Sequence, residues 1–341
     1  MVYAVAAAHQ PCPLAGGGAR PRGGKARGPW PRAARRWLAV LLLALLLPGV
    51  ARADLDEVAG TLGAVGSDTL AGLMLRWGEA LTERHPAVRL QLQASGSASA
   101  PTALIAGTTR LGPMSRAMSE AERAAFTARH GYPPLALEVA RDALAVVVHR
   151  HNPLEGLTAA ELDAIFSESR RCGAASPIER WSQLGVDLPG RIALHGRNVA
   201  SGTHDLFRLR GLCGGRFRLR VNEHPGSAAV VAAVAAEPSA IGFAGLNHLT
   251  PAVRAVSRRD AEGGELHPPS AATVLSGDYP LSRTLYLYVN RPPDRPLPGP
   301  ERAFLALVLS DAGQAIVEEL GFVPLPEAVR ERQRGLIEAA P

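Results

Sequence analysis

The chain has 341 residues, enough for one large or two medium domains, and carries 37 basic against 31 acidic side chains. The excess is confined to residues 1–53, where eight basic side chains (Arg20, Arg22, Lys25, Arg27, Arg32, Arg35, Arg36, Arg52) meet no acidic one. Removing them leaves 29 basic against 31 acidic groups, a net −2 for residues 54–341 that gives nucleic-acid binding no electrostatic support.

The basic segment leads into the apolar run Trp37–Leu47, too short to span a bilayer, and then Pro48-Gly49 and the small-residue site Ala51-Arg52-Ala53. This pattern predicts a secretory signal peptide over residues 1–53, cut before Asp54. Cys12 lies upstream of the apolar run, where no lipidation signal would place it. Two cysteines remain, Cys172 and Cys213, and in an oxidising compartment they are expected to pair.

From residue 60 the chain alternates short apolar strands with helical patterns, as in a parallel or mixed α/β sheet. "GTLGAVG" reads as a strand, and "DTLAGLMLRWGEALTERHP" as a helix with Leu70, Leu73, Met74, Trp77 and Leu81 on one face. "AVRLQLQA" alternates as a half-buried strand, "SGSASAPTALIAG" as a turn entering a helix, and "RLGPMS" as a strand before the polar helix "EAERAAFTARHG". "LALEVARDALAVVVHRHNP" reads as two strand-like runs with little between them, suited to a crossover between lobes. "TAAELDAIFSES" is a helix with Thr158 as N-cap, and "RIALHGR" a strand that runs into "NVASGT" and the helix "HDLFRLRGL". "GSAAVVAAVAAEP" follows as a small-residue helix, then the strands "SAIGFAGL" and "SRTLYLYVN", and a final helix pair within "ERAFLALVLSDAGQAIVEELGF".

Four of the strands end in the same chemistry, small hydroxyl residues at a helix start. They are Gly66-Ser67-Asp68-Thr69, Ser95-Gly96-Ser97-Ala98-Ser99, Met114-Ser115-Arg116, and Arg197 with Ser201-Gly202-Thr203. Any one of them is explained by helix capping or turn conformation. In an open α/β sheet, however, such turns converge on one crevice. Hydroxyl and N–H donors with two guanidinium groups and few apolar contacts suit a small tetrahedral oxyanion. Enzyme motifs are missing: no GxxxxGK[ST], no GxSxG and no HExxH is present. The ten histidines have no metal-ligand spacing. His204 is expected to face solvent in a first helical turn. Neither catalysis, a cofactor nor a metal is expected.

At this point the motifs carry a resemblance. "VGSDTL", "GSASAPTAL", "LGPMSRAM", "DALAV", "GRNVASGT" and "VNEHPGSA" occur in the order found in the periplasmic phosphate-binding proteins of ABC uptake systems, the PstS type. The chain resembles them from Gly60 to about Pro326. The resemblance implies a type II periplasmic-binding fold, with two α/β lobes joined by two crossing segments and the ion between them. The corresponding boundaries are 54–142 with 283–341 for lobe 1 and 143–282 for lobe 2.

It also implies a binding function without chemistry: capture of inorganic phosphate and delivery to a membrane-embedded ABC permease, by a periplasmic monomer that binds no nucleic acid. The implied ligands are Ser67, Asp68, Thr69, Ser97, Ser115, Arg116, Arg197, Ser201, Gly202 and Thr203. Ser115 falls where the best-known members carry an aspartate that accepts the phosphate proton, and Asp68 is the expected substitute. A capping role for Asp68 fits the sequence equally well. That departure leaves another oxyanion (sulfate, phosphonate or molybdate) or a phosphate sensor of the same fold as alternatives.

Overall fold

The computed structural model describes residues 58–260 and 263–338. The expected signal peptide, residues 1–53, lies outside them. The first lobe is built on β1 (Gly60–Val65), β2 (Val88–Gln93) and β3 (Leu111–Met114), with α1 (Ala71–Arg84), α2 (Ser99–Ala106) and α3 (Glu120–His130) after them. β1 lies between β2 and β3 and is parallel to both. α1 turns Leu73, Met74, Trp77 and Leu81 onto the sheet, where all four are buried, as its apolar spacing requires. The Trp77 indole N–H donates to the Gly313 carbonyl at 2.9 Å, so its one polar atom is satisfied inside the core.

β4 (Leu135–His149) is one continuous strand of 15 residues, where the sequence reads as two runs. Its first part, Leu135–Ala143, pairs antiparallel with β11 (Ser282–Val289). Its second part pairs with β8 (Ala240–Gly245) and β9 (Val253–Arg259). β4 thus leaves the first sheet for the second, and β11 brings the chain back to β3. These two strands are the crossing segments.

The second lobe contains β5 (Gly156–Leu157), α4 (Ala159–Phe166), β6 (Ala193–Arg197), α5 (Gly202–Leu206), β7 (Asn222–His224), α6 (Ser227–Ala236), β10 (Leu266–His267) and α7 (Ala271–Ser276). β6 lies parallel between β7 and β8. Thr158 caps α4 as expected and forms a capping box with Glu161. α5 is shorter than its sequence pattern suggests, because the chain widens into a π-turn over Phe207–Gly211. There Phe207 stacks on Phe243 with ring centroids 4.0 Å apart. Cys172 and Cys213 are disulfide-bonded.

α8 (Gly299–Val308), α9 (Asp311–Glu319) and α10 (Glu327–Glu338) follow β11. Phe304, Leu305, Val308 and Val317 join the α1 face and Leu285 in one core. Phe166, Trp181, Phe207, Phe243 and Tyr279 form the core of the second lobe. The architecture is two α/β lobes joined by two crossing strands, with a cleft between them. No helix among the described residues is long and apolar enough to cross a membrane.

Candidate anion-binding site

The ends of β1, β2 and β3 are stitched to one another by backbone hydrogen bonds. Gly66 N–H donates to Gln93 O (2.9 Å), Ser67 N–H to Pro113 O (2.8 Å) and Gly96 N–H to Gly66 O (2.9 Å). Parallel strands deliver their C-terminal turns to one edge, so this side of the cleft is assembled by sheet order. The turn after β6 meets it from the other lobe, where Ala98 N–H donates to Ala200 O at 3.2 Å. Gly96 has φ +110°, and a Cβ there would lie 2.6 Å from Ala200 O. Gly202 is constrained by approach instead: a Cβ would stand 2.5 Å from Ser115 Oγ and 2.7 Å from Ser97 Oγ.

Six hydroxyl residues meet here, and each is at most 2% exposed: Ser67, Thr69, Ser97, Ser115, Ser201 and Thr203. Several oxygens already accept. Ser67 Oγ takes the Thr69 N–H (3.2 Å), Ser201 Oγ the Thr203 N–H (3.1 Å) and Ser97 Oγ the Ser115 N–H (3.0 Å). Their protons are less well provided for. Only two hydroxyl–hydroxyl contacts exist within the group, Ser97–Ser115 at 3.1 Å and a long Thr69–Thr203 at 3.4 Å. Each can absorb one O–H, so most of these buried hydroxyl protons have no protein acceptor. Such a donor excess is costly to leave unmet and suits an oxyanion.

Arg197, 1% exposed, faces the same region. Its Nη2 donates to Asp68 Oδ1 (2.9 Å) and Pro225 O (2.8 Å), its Nε to His224 O (3.3 Å) and its Nη1 to Ser227 Oγ (3.3 Å). Asp68 is therefore an ion-pair partner. α1 has no side-chain cap. Ser201 does cap α5, so capping and site membership coincide in that residue.

Arg116 is not drawn into the hydroxyl cluster. Its guanidinium binds both oxygens of Glu122 (2.8 and 2.7 Å) and its Nε lies 3.1 Å from Asp205 across the cleft. Glu122 occupies the third position of α3 as the acidic half of a capping box, which fixes it within reach. Arg116, Asp205, Arg208, Arg283 and Ser115 line a cavity of about 680 Å³ beside the cluster.

The second guanidinium at the hydroxyls is one that the turn motifs did not mark. Arg283 on β11 donates through Nε (2.9 Å) and Nη2 (2.6 Å) to Asp142 Oδ2 on β4, its direct cross-strand partner. Its Nη1 reaches Thr203 Oγ1 at 2.9 Å and its Nη2 reaches Thr69 Oγ1 at 3.4 Å. Both members of the pair are buried, Arg283 at 7% and Asp142 at 1% exposed. A signal for them exists: Arg283 shares the buried face of β11 with Leu285 and Leu287, and Asp142 interrupts the apolar run of β4.

Ser227, on Arg197, and His248, near Asp142 and Asp68, also carry no turn motif. Burial is the main cause holding His248 below the ordinary histidine value, against the pull of Asp142 and Asp68. Burial and then the Arg197 charge lower His224 in the same way. His204, expected in solvent, lies against Phe217 with ring centroids 4.6 Å apart and the planes tilted by 34°.

The PBP superfamily domain matches residues 53–312. The phosphate-binding protein PstS of Pseudomonas aeruginosa is 46% identical over 278 residues, covering 81% of this chain and 86% of the relative. A solved structure described as a possible phosphate binding protein from Planctomyces limnophilus superposes with a TM-score of 0.60 at 27% identity, over 82% of this chain and 98% of that one. An ABC-type phosphate transport receptor from Vibrio cholerae has the same fold at a TM-score of 0.60 and 21% identity, over 78% and 100% of the two chains.

Proposed function

Given that the chain belongs to the PBP superfamily, and within it to the PstS-type phosphate-binding proteins, we propose that it captures inorganic phosphate between its lobes. In this reading it releases the ion to a membrane-embedded ABC permease. The observation that carries the reading is the surplus of buried hydroxyl protons around Ser67, Thr69, Ser97, Ser115, Ser201 and Thr203. A tetrahedral oxyanion supplies acceptors in several directions at once, which a planar carboxylate does not. Arg197, fixed by four acceptors, adds a guanidinium whose one remaining N–H, on Nη1, is already oriented.

The binding step involves no covalent chemistry. The anion exchanges its hydration for the hydroxyls of both lobes, and hinge motion about β4 and β11 admits and releases it. The lobe limits of this reading are 54–142 with 283–341 and 143–282, and the chain works as a monomer. Residues 1–53 act as a signal peptide that sends it to the periplasm.

Selectivity needs an acceptor. Protonated phosphate can donate a hydrogen bond and sulfate at neutral pH cannot, so a carboxylate in the site favours phosphate. With serine at position 115, Asp68 takes this role. Arg197 engages one of its oxygens and leaves the other for the ligand proton.

The test is calorimetric titration of residues 54–341, freed of bound anion by unfolding and refolding, with phosphate and then sulfate at pH 7. One-to-one phosphate binding without sulfate heat supports the reading. Equal binding of sulfate assigns the site to another oxyanion. A folded protein that binds neither overturns the assignment.

A further inference from the structure

We propose that Arg283, held by Asp142, is a positioning residue of the anion site: it orients the Thr69 and Thr203 hydroxyls toward the ligand and ties the hinge strands to occupancy. This rests on the phosphate reading above. A hydroxyl has one proton and two lone pairs. When Arg283 Nη1 donates to Thr203 Oγ1 and Nη2 to Thr69 Oγ1, each oxygen is engaged from one side as an acceptor. Its own proton must then point elsewhere. Both threonines are at most 2% exposed, and their mutual 3.4 Å contact can absorb one proton at best. The remaining direction is toward the anion.

The placement of the pair adds a second element. Asp142 and Arg283 sit opposite each other on β4 and β11, the strands on which the lobes hinge. From there one guanidinium reaches Thr69 in the first lobe and Thr203 in the second. Both contacts require the lobes to be together, so Arg283 favours the form in which the hydroxyls converge. Asp142 Oδ2 accepts from Nε and Nη2 and fixes the plane of the guanidinium, leaving Nη1 and one Nη2 proton for the threonines. Lysine could not reproduce this fork.

Removing only Arg283 would strand a buried carboxylate, so the main variant is the pair Asp142→Asn with Arg283→Gln, alongside Arg283→Lys. Affinity for inorganic phosphate is measured by calorimetry on residues 54–341, and folding by thermal melting without anion. The expected result for the double variant is a cooperative melt and roughly 30-fold or greater loss of affinity, with about tenfold loss for Arg283→Lys. In a Thr69→Val, Thr203→Val background, the same pair of changes is expected to cost less than about threefold, since the groups it orients are gone.

If the variants bind within threefold of wild type, the pair is only a brace between strands and the inference falls. An undiminished loss in the valine background also overturns it, because Arg283 then acts by another route. Should the double variant not fold, Arg283→Lys decides by the same criteria. Wild type that binds no phosphate overturns the phosphate reading and this inference together. Wild type that binds, with unaffected variants, overturns the inference alone.

Discussion

Asp68 and Arg197 form an ion pair across the cleft, Oδ1 to Nη2 at 2.9 Å, with the Arg197 side chain 1% and that of Asp68 18% exposed. The carboxylate is thus anchored by one oxygen at the place where the hydroxyls of both lobes gather. Neutralising it removes the counter-charge of Arg197 and, in the proposed reading, the acceptor of the ligand proton. Asp68→Asn is expected to weaken phosphate binding by about tenfold, one charge-assisted hydrogen bond, and to bring in measurable sulfate binding. Competition between the two anions in equilibrium dialysis checks this, and unchanged exclusion of sulfate would place the acceptor elsewhere.

Gly202 allows the lobes to meet. A methyl group there would come within 2.5 Å of Ser115 Oγ and 2.7 Å of Ser97 Oγ, distances that no side-chain adjustment at a packed seam accommodates freely. Gly202→Ala is expected to hold the lobes apart and lower phosphate affinity by about 100-fold or more, some 3 kcal/mol. Because the clash lies between lobes, the anion-free melting temperature should move by only a few degrees. Affinity within a few-fold of wild type would mean that the hydroxyls need not converge.

The Cys172–Cys213 disulfide joins residues 41 apart in sequence within the second lobe. In the chain-entropy view such a loop contributes on the order of 3–4 kcal/mol. Replacing both cysteines by serine, or reducing the bond, is expected to lower the unfolding free energy extrapolated from urea titration by an amount in that range. Neither cysteine touches the hydroxyl cluster, so phosphate affinity of the folded fraction should be unchanged.

Stability is expected to fall on mild acidification. Burial lowers His195, His224 and His248 below their ordinary value of 6.5, so the folded state keeps them neutral while the unfolded chain takes up protons. Their contribution is complete above about pH 6.5 and is lost progressively as pH drops below it. His195 and His224 are in contact, Nδ1 to Nε2 at 3.0 Å, and a second proton would set like charges side by side. His267, raised by Asp260, acts in the opposite sense, but its exposed partner screens that effect. Melting temperatures at pH 7.5, 6.5 and 5.5 check the slope, which should flatten in His248→Gln.

Local chemistry made much of the molecule readable in advance. Period-two alternation placed β2 and the 3.6-residue period placed α1, because each turns one apolar face to the core. Thr158 and Ser201 announced themselves as caps through contacts spanning two or three residues, and the four hydroxyl turns follow from strand ends and small residues. The ligand set that can be read this way consists of residues that are close to one another in sequence.

What only the tertiary structure decided is which distant groups share a boundary. Asp142 and Arg283 are 141 residues apart, and their pairing depends on β4 and β11 lying side by side in register. Arg116 reads as an anion ligand beside Ser115, yet Glu122 accepts from both of its terminal nitrogens and Asp205 stands 3.1 Å from its Nε. His204 reads as solvated until Phe217 arrives over its ring. Periodicity and turn chemistry are properties of a few consecutive residues. A buried charge is satisfied by whatever the fold brings against it, and that partner is written nowhere near it in the chain.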